Sequence, residues 1–349
     1  MLTRLTVWMA AGLSVAGAQT LLVLPEASQR AQVTQRLGIT DVTISYHRPL
    51  AAGRKVWVGL VPYDQVWRAG ANENTIITFA DPVSVEGELL PKGSYGLHMI
   101  PGTDTWTVIF SKNSSSWGSF SYKQDEDALR VKVKPEPSEM HEALAYDFDD
   151  LKPESAAITM RWEKLAVPFK VSVNAKDLTM ASLRDQLRGG MQYTWQSWAE
   201  AAGYSLANKV DMEQGLRWAD AAIGQEERYE TLMLKAQLLG GLNRTSDAAP
   251  IKQRALGMAN VTQLYFYGRQ LQAGKKSEEA MGIFRQTAER FPTHWLGHVA
   301  SARLDSASGK YDKAVAEMKA ALDAGPPDIQ KPVIAAYIKR LEAGQDINN

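Results

Sequence analysis

Val61-Pro62-Tyr63-Asp64-Gln65-Val66-Trp67-Arg68-Ala69-Gly70-Ala71-Asn72-Glu73-Asn74-Thr75 is an aromatic block that runs into a dense polar turn and then into a strand. Pro62 restricts the backbone, while Gly70 and Asn72 tolerate positive φ. Between Arg68 and Thr75 no apolar residue is larger than alanine, so the segment is expected to be a built turn at one end of a β-domain. Adjacent residues of an extended chain point to opposite faces. Trp67 is therefore expected to pack inward and Arg68 to be offered elsewhere.

Around this turn, from about Ala31 to Val173, apolar and polar residues alternate with a period near two and are punctuated by Gly, Pro and Asn. Val42, Ile44 and Tyr46 alternate with Thr43, Ser45 and His47. Further strands are expected at Thr75–Ala80, Val83–Glu86, Ser94–Ile100, Thr105–Ser111, Leu129–Lys134, Glu142–Phe148, Ala156–Glu163 and Phe169–Val173. That number implies a sandwich or jelly-roll-like domain. Pro91-Lys92-Gly93 and Pro101-Gly102-Thr103-Asp104 read as hairpin turns, and Asn113-Ser114-Ser115-Ser116-Trp117-Gly118 as a polar loop whose Trp either tucks onto the sandwich or caps a site as a lid.

After Asn174 alanines multiply and apolar residues recur at three and four, the helical spacing. Gly215, Ala248, Ala280 and Ala314 lie 33, 32 and 34 residues apart. Ala222, Ala255, Thr287 and Ala321 repeat that register, as do Gly203, Ala236, Gly268 and Ala302. Three columns of small residues at these offsets resemble the tetratricopeptide repeat. Leu232, Leu264, Phe284 and Met318 fill the grooves between the helices, and Gly240-Gly241, Gly274 and Gly309 stop the first helix of each pair. Asp328–Ala343 reads as a capping helix. The fold class expected is multidomain, an N-terminal all-β sandwich followed by a C-terminal all-α solenoid whose groove holds a protein or peptide.

Ahead of both domains, Arg4, the apolar run Leu5–Val15 and Ala16-Gly17-Ala18 form the three parts of a secretory leader, with cleavage expected after Ala18. The expected organisation is thus a leader at 1–18, a β-domain at 19–175 and helical repeats at 176–349. Without cysteine there is no disulfide and no thiolate chemistry, a composition that suits a bacterial periplasmic or secreted protein. Lys plus Arg and Asp plus Glu both count 39, so nothing suggests nucleic acid, and no run later in the chain is long enough to span a membrane.

The β-half resembles the bacterial domain-of-unknown-function family numbered 2911. The likeness runs from about Ser28 to Val173. It rests on Tyr46-His47-Arg48-Pro49, Gly53-Arg54, Val61-Pro62-Tyr63 and Val66 to Glu73 with Thr75. It continues through Gly93-Ser94-Tyr95, Trp106, Trp117-Gly118 with Tyr122, Leu129-Arg130-Val131 and Trp162-Glu163. The resemblance implies an exported β-domain protein, sometimes followed by helical repeats, and assigns no reaction.

Candidate ligand-binding residues are Arg54, Arg68, Asn72, Glu73, Asn74 and His98. Converging at one end of the sandwich, they would hold a small polar or carbohydrate ligand. The bland alternative pairs Arg68 with Glu73 and spends the Asn side chains on the turn's own backbone. A metal at His47, His98 and His141 is weighed and set aside, as strand histidines are usually ordinary hydrogen-bonding residues. His294 and His298 lack the Glu of H-E-x-x-H, and the acidic clusters at 125–127 and 147–150 read as solvated strand ends. No cofactor is expected. The leading reading is an exported, non-catalytic binding protein. A hydrolase using Glu73 or His98 as general acid or base is the alternative, and a structural envelope component the second.

Overall fold

The computed structural model describes residues 25–348, so the expected leader and its cleavage site lie outside the described residues. The chain divides into two compact units between Leu178 and Thr179.

The first unit contains β1 (Gln29–Leu37), β2 (Thr40–Arg48), β3 (Thr75–Phe79), β4 (Val83–Val85), β5 (Glu88–Leu90), β6 (Gly93–Ile100), β7 (Trp106–Ser111), β8 (Asp127–Val133), β9 (Glu136–Lys152) and β10 (Ser155–Ser172). They form a six-stranded sheet in the order β1-β2-β3-β6-β7-β8 and a four-stranded sheet in the order β5-β4-β10-β9. Every ladder is antiparallel. Alternation along each strand sends one set of side chains inward, so Ile44, Ile77, Phe79, Leu97 and Phe110 of the first sheet share a core with Tyr146, Ile158, Trp162 and Phe169 of the second.

One end of that core is a tryptophan cluster. Trp57 meets Trp106 edge-on at 5.0 Å, and Trp67 stacks on Trp162 at 5.9 Å, which ties the 49–74 connection to both sheets.

Two strand expectations change. Pro91-Lys92 is not a hairpin turn, because β5 pairs with β4 in one sheet and β6 with β3 in the other, making this dipeptide a crossover. Pro101–Asp104 does join paired strands, β6 and β7. The separate segments expected at 156–163 and 169–173 are one strand, β10, with register shifts around Glu163. Pro168 is accommodated because the β9 ladder runs only to Ala166 and the β4 ladder begins at Val171, so no neighbour requires its missing N–H.

The second unit takes in most of α1 (Ala175–Gln186), then α2 (Trp195–Asn208), α3 (Met212–Gln225), α4 (Tyr229–Gly241), α5 (Thr245–Met258), α6 (Val261–Ala273), α7 (Ser277–Arg290), α8 (Trp295–Ala307), α9 (Tyr311–Asp323) and α10 (Lys331–Glu342). The principal packing partners are α2 with α3, α4 with α5, α6 with α7 and α8 with α9, the helix pairs that the repeat spacing implied. The small columns lie at the pair interfaces: Ala222, Ala255, Ala280, Ala302, Ala314 and Ala321 have no exposed surface. At Gly268 a Cβ would stand 2.7 Å from Cε1 of Phe284, so only a bare backbone lets α6 and α7 approach this closely. Gly274 caps α6, and Gly309 follows α8 with φ of 70°. None of the described helices is long and apolar enough to cross a membrane.

Candidate ligand-binding site

The 49–74 connection is fixed from inside the sandwich. The Tyr146 hydroxyl on β9 donates to the Ala69 carbonyl at 2.9 Å, Thr75 Oγ1 donates to the same carbonyl at 3.1 Å, and Trp67 exchanges two backbone hydrogen bonds with Met99. Burial raises the Tyr146 phenol well above its usual pKa, which keeps it a donor. Asn72 has φ of 55°, as its residue type permits, but the other left-handed residue of the turn is Ala69 at 49°, not Gly70. Gly70 is required for space instead, since a Cβ there would lie 2.6 Å from Thr75 Oγ1.

As Trp67 enters the core, Arg68 turns outward onto the exposed indole of Trp117, its guanidinium carbon 5.2 Å from the ring centroid. Its Nη1 donates to the Asn72 carbonyl at 3.0 Å. Among the described residues no carboxylate pairs with Arg68, and partial burial lowers the pKa of its guanidinium. Trp117 stacks on Phe120 at 5.9 Å with rings 10° from parallel, and both are largely exposed, at 58% and 84%. Trp117 therefore does not tuck onto the sandwich, although a backbone bridge to Glu73 pins its loop. Gln65, Val66, Trp67, Arg68, Ser119 and Phe120 line a hollow of about 270 Å³ beside this aromatic pair.

Glu73 and Asn72 look the other way. Glu73 Oε2 lies 3.4 Å from Nε2 of His47, and Glu26 Oε2 lies 3.1 Å from the same nitrogen. The Asn72 amide donates to Glu26 at 2.8 Å. Glu26, His47 and Glu73 border a second hollow of about 570 Å³, also lined by Arg30, Ser45, Asn74 and Ile76. Glu26 was missed by sequence reasoning; it precedes the first strand and belongs to no periodic pattern.

Of the remaining expected residues, Arg54 and His98 do not join them, while Asn74 borders both this hollow and the pocket around His98. Arg54 donates to the backbone carbonyls of Ala51 and Leu50, a local clamp on its own loop. His98 is 3% exposed, with Nδ1 2.9 Å from Ser119 Oγ, inside a polar pocket with no room for a water. Burial lowers its pKa to about 4 against the opposing field of Asp127, so it is neutral at pH 7. Asn74 belongs to the same pocket and donates to the Asn113 carbonyl at 3.3 Å. The bland pairing of Arg68 with Glu73 is also absent, and the three β-unit histidines do not converge: His141 lies opposite Glu163 in the other sheet. Asp127 is not a solvated strand end; it accepts from Tyr122 and Arg130 and is nearly buried.

In the helical unit, Thr262, Tyr265, Phe266 and Arg269 of α6, Trp295 of α8 and Ile329, Val333 and Tyr337 at the last helix line a groove of about 530 Å³. Phe266, Ile329 and Val333 are exposed. Nε of Arg269 has no hydrogen-bond partner among the described residues, and its Nη1 reaches Tyr337 at 3.4 Å.

Residues 28–171 match the family described as "Protein of unknown function (DUF2911)". No curated protein matches the chain. Among solved structures it is similar to YrrB, described as a TPR protein with an unusual peptide-binding site, at 16% identity over 48% of this chain and 84% of that one, with a TM-score of 0.28. The two-sheet unit thus carries the match to the DUF2911 family model, and it is followed by paired helices at the 32–34-residue spacing read from the sequence.

Proposed function

We propose that this chain is an exported, non-catalytic binding protein. Its β-unit takes a small polar ligand bearing a carboxylate, of which an acidic sugar is the class that fits, and its helical groove takes a peptide. One observation carries the reading: a half-buried guanidinium, Arg68, lies against an exposed indole with no carboxylate partner among the described residues. A cation partly withdrawn from water favours a counter-charge, which a planar fork holds bidentately, while Trp117 and Phe120 offer apolar faces for a ring to lie on. In the helical groove Arg269 beside Phe266, Ile329 and Val333 suits a peptide with an acidic residue next to a bulky apolar one. Hydrolysis by Glu73 or His98 has less support, because Glu73 is engaged with His47 and His98 is enclosed.

Titration calorimetry of the chain from Gln19 onward, against uronate oligosaccharides and their neutral counterparts, tests the β-unit. Selective binding of the acidic series is expected, weakened at least about tenfold in both Arg68→Gln and Trp117→Ala with melting temperature retained. Equal binding of neutral sugars, survival in both variants, or no binding at all would refute it, and the last would favour a structural role. For the groove, fluorescence polarisation with acidic-apolar peptides should show a loss in Arg269→Gln. Export predicts Gln19 as the first residue of the protein recovered from its host.

A further inference from the structure

We propose that Glu26, His47 and Glu73 form a binding site for a divalent transition-metal ion, with zinc the best-suited probe. The proposal is independent of the Arg68 reading, because it rests on different side chains facing a different hollow.

Three donors from three separate segments meet here: Glu26 from the stretch before β1, His47 from β2 and Glu73 from the turn before β3. Their ligand atoms all lie within 4.8 Å of one another. The two shorter separations, 3.1 and 3.4 Å from Nε2 of His47, are close to the edge of a tetrahedron built on metal bonds of about 2.0–2.1 Å, which is about 3.3 Å. A hydrogen-bond account leaves a remainder. One imidazole nitrogen carries at most one proton, so Nε2 can serve only one of two carboxylate oxygens that both approach it. A cation at the centre serves all three.

His47 is 8% exposed, and its Nδ1 is buried without any hydrogen-bond partner among the described residues, so only the two carboxylates, or what they bind, engage the ring nitrogens. The Asn72 amide donates to Oε2 of Glu26, the same oxygen that approaches His47, and so holds that oxygen in place, an outer-shell role. One imidazole with two carboxylates suits zinc or manganese better than calcium or magnesium, which prefer oxygen alone. The three protein donors leave a fourth position for water or another ligand, with the hollow of about 570 Å³ alongside.

The test uses the chain from Gln19 onward, stripped with a chelator and titrated with zinc chloride by calorimetry. Saturable one-to-one binding is expected, weakened at least about tenfold in Glu26→Gln and Glu73→Gln, and about tenfold in Asn72→Ala. Both glutamates are about half exposed, so those variants should fold even where His47→Gln does not. Nitrogen-15 spectra supply a second readout: zinc on Nε2 must leave the His47 ring proton on Nδ1. Zinc binding that persists in the Glu26→Gln/Glu73→Gln double variant, an unchanged His47 signal on zinc addition, or no binding would overturn the proposal.

Discussion

His98 offers the sharpest test of the enclosed polar pocket. Its ring is buried on β6 against Ser119 and Tyr122, and burial, partly opposed by Asp127, lowers its pKa from 6.5 to about 4. In the unfolded chain the ring takes up a proton near pH 6.5; in the folded chain it does not until about pH 4. The unfolded state therefore binds more protons throughout that window. His98 thus contributes stability that is fully present above pH 6.5 and is lost as pH falls toward 4. At 1.36 kcal/mol per unit, a shift from 6.5 to about 4 is worth roughly 3 kcal/mol. Hydrogen exchange of the β6 and β7 amides, measured from pH 7 to pH 4 in the wild type and in His98→Gln, reads this within the β-unit. The stability difference between the two proteins should shift by about 3 kcal/mol across the range, in the wild type's favour at pH 7. A His98 ring that titrates near pH 6.5 by NMR, or identical pH profiles for the two proteins, would refute the reasoning.

Other expectations are structural. Gly268→Ala should destabilise the helical unit by about 1–3 kcal/mol, read as a lower urea midpoint, because Phe284 and Ile283 must move to admit a methyl group. Tyr146→Phe removes one of two donors to the Ala69 carbonyl and should cost about 1–2 kcal/mol, with faster amide exchange through residues 69–75. Arg303→Leu should cost about 3 kcal/mol by thermal unfolding. It removes a donor from the hydroxyls of Tyr265 and Tyr337 and from the Ile347 carbonyl, all of which this 1%-exposed guanidinium now serves.

Periodicity made the broad architecture legible. The columns through Gly215 and Gly268 located the helix pairs, because close helix approach demands small residues at fixed offsets. Strand alternation located both sheets but could not assign a strand to one of them, and so Pro91-Lys92 read as a hairpin when it is a crossover. Trp67 and Arg68 behaved as neighbours in an extended chain must. The polar constellation was only half visible. Asn72 and Glu73 were found from the turn they occupy, whereas Arg54 was grouped with them by charge alone and is spent on local carbonyls. His47 was noticed but paired with the wrong histidines. Its true neighbours, Glu26 and Glu73, are brought to it by tertiary folding, which leaves no spacing to read.

The hydroxyl that anchors Ala69 belongs to Tyr146, 77 residues further along the chain. During synthesis, β2 and the whole 49–74 segment emerge well before that anchor exists. Until β9 is made, closing so long a loop has no compensating contact from Tyr146. Both hollows border residues of this segment, so neither can take its final form while the nascent polypeptide still lacks the second sheet.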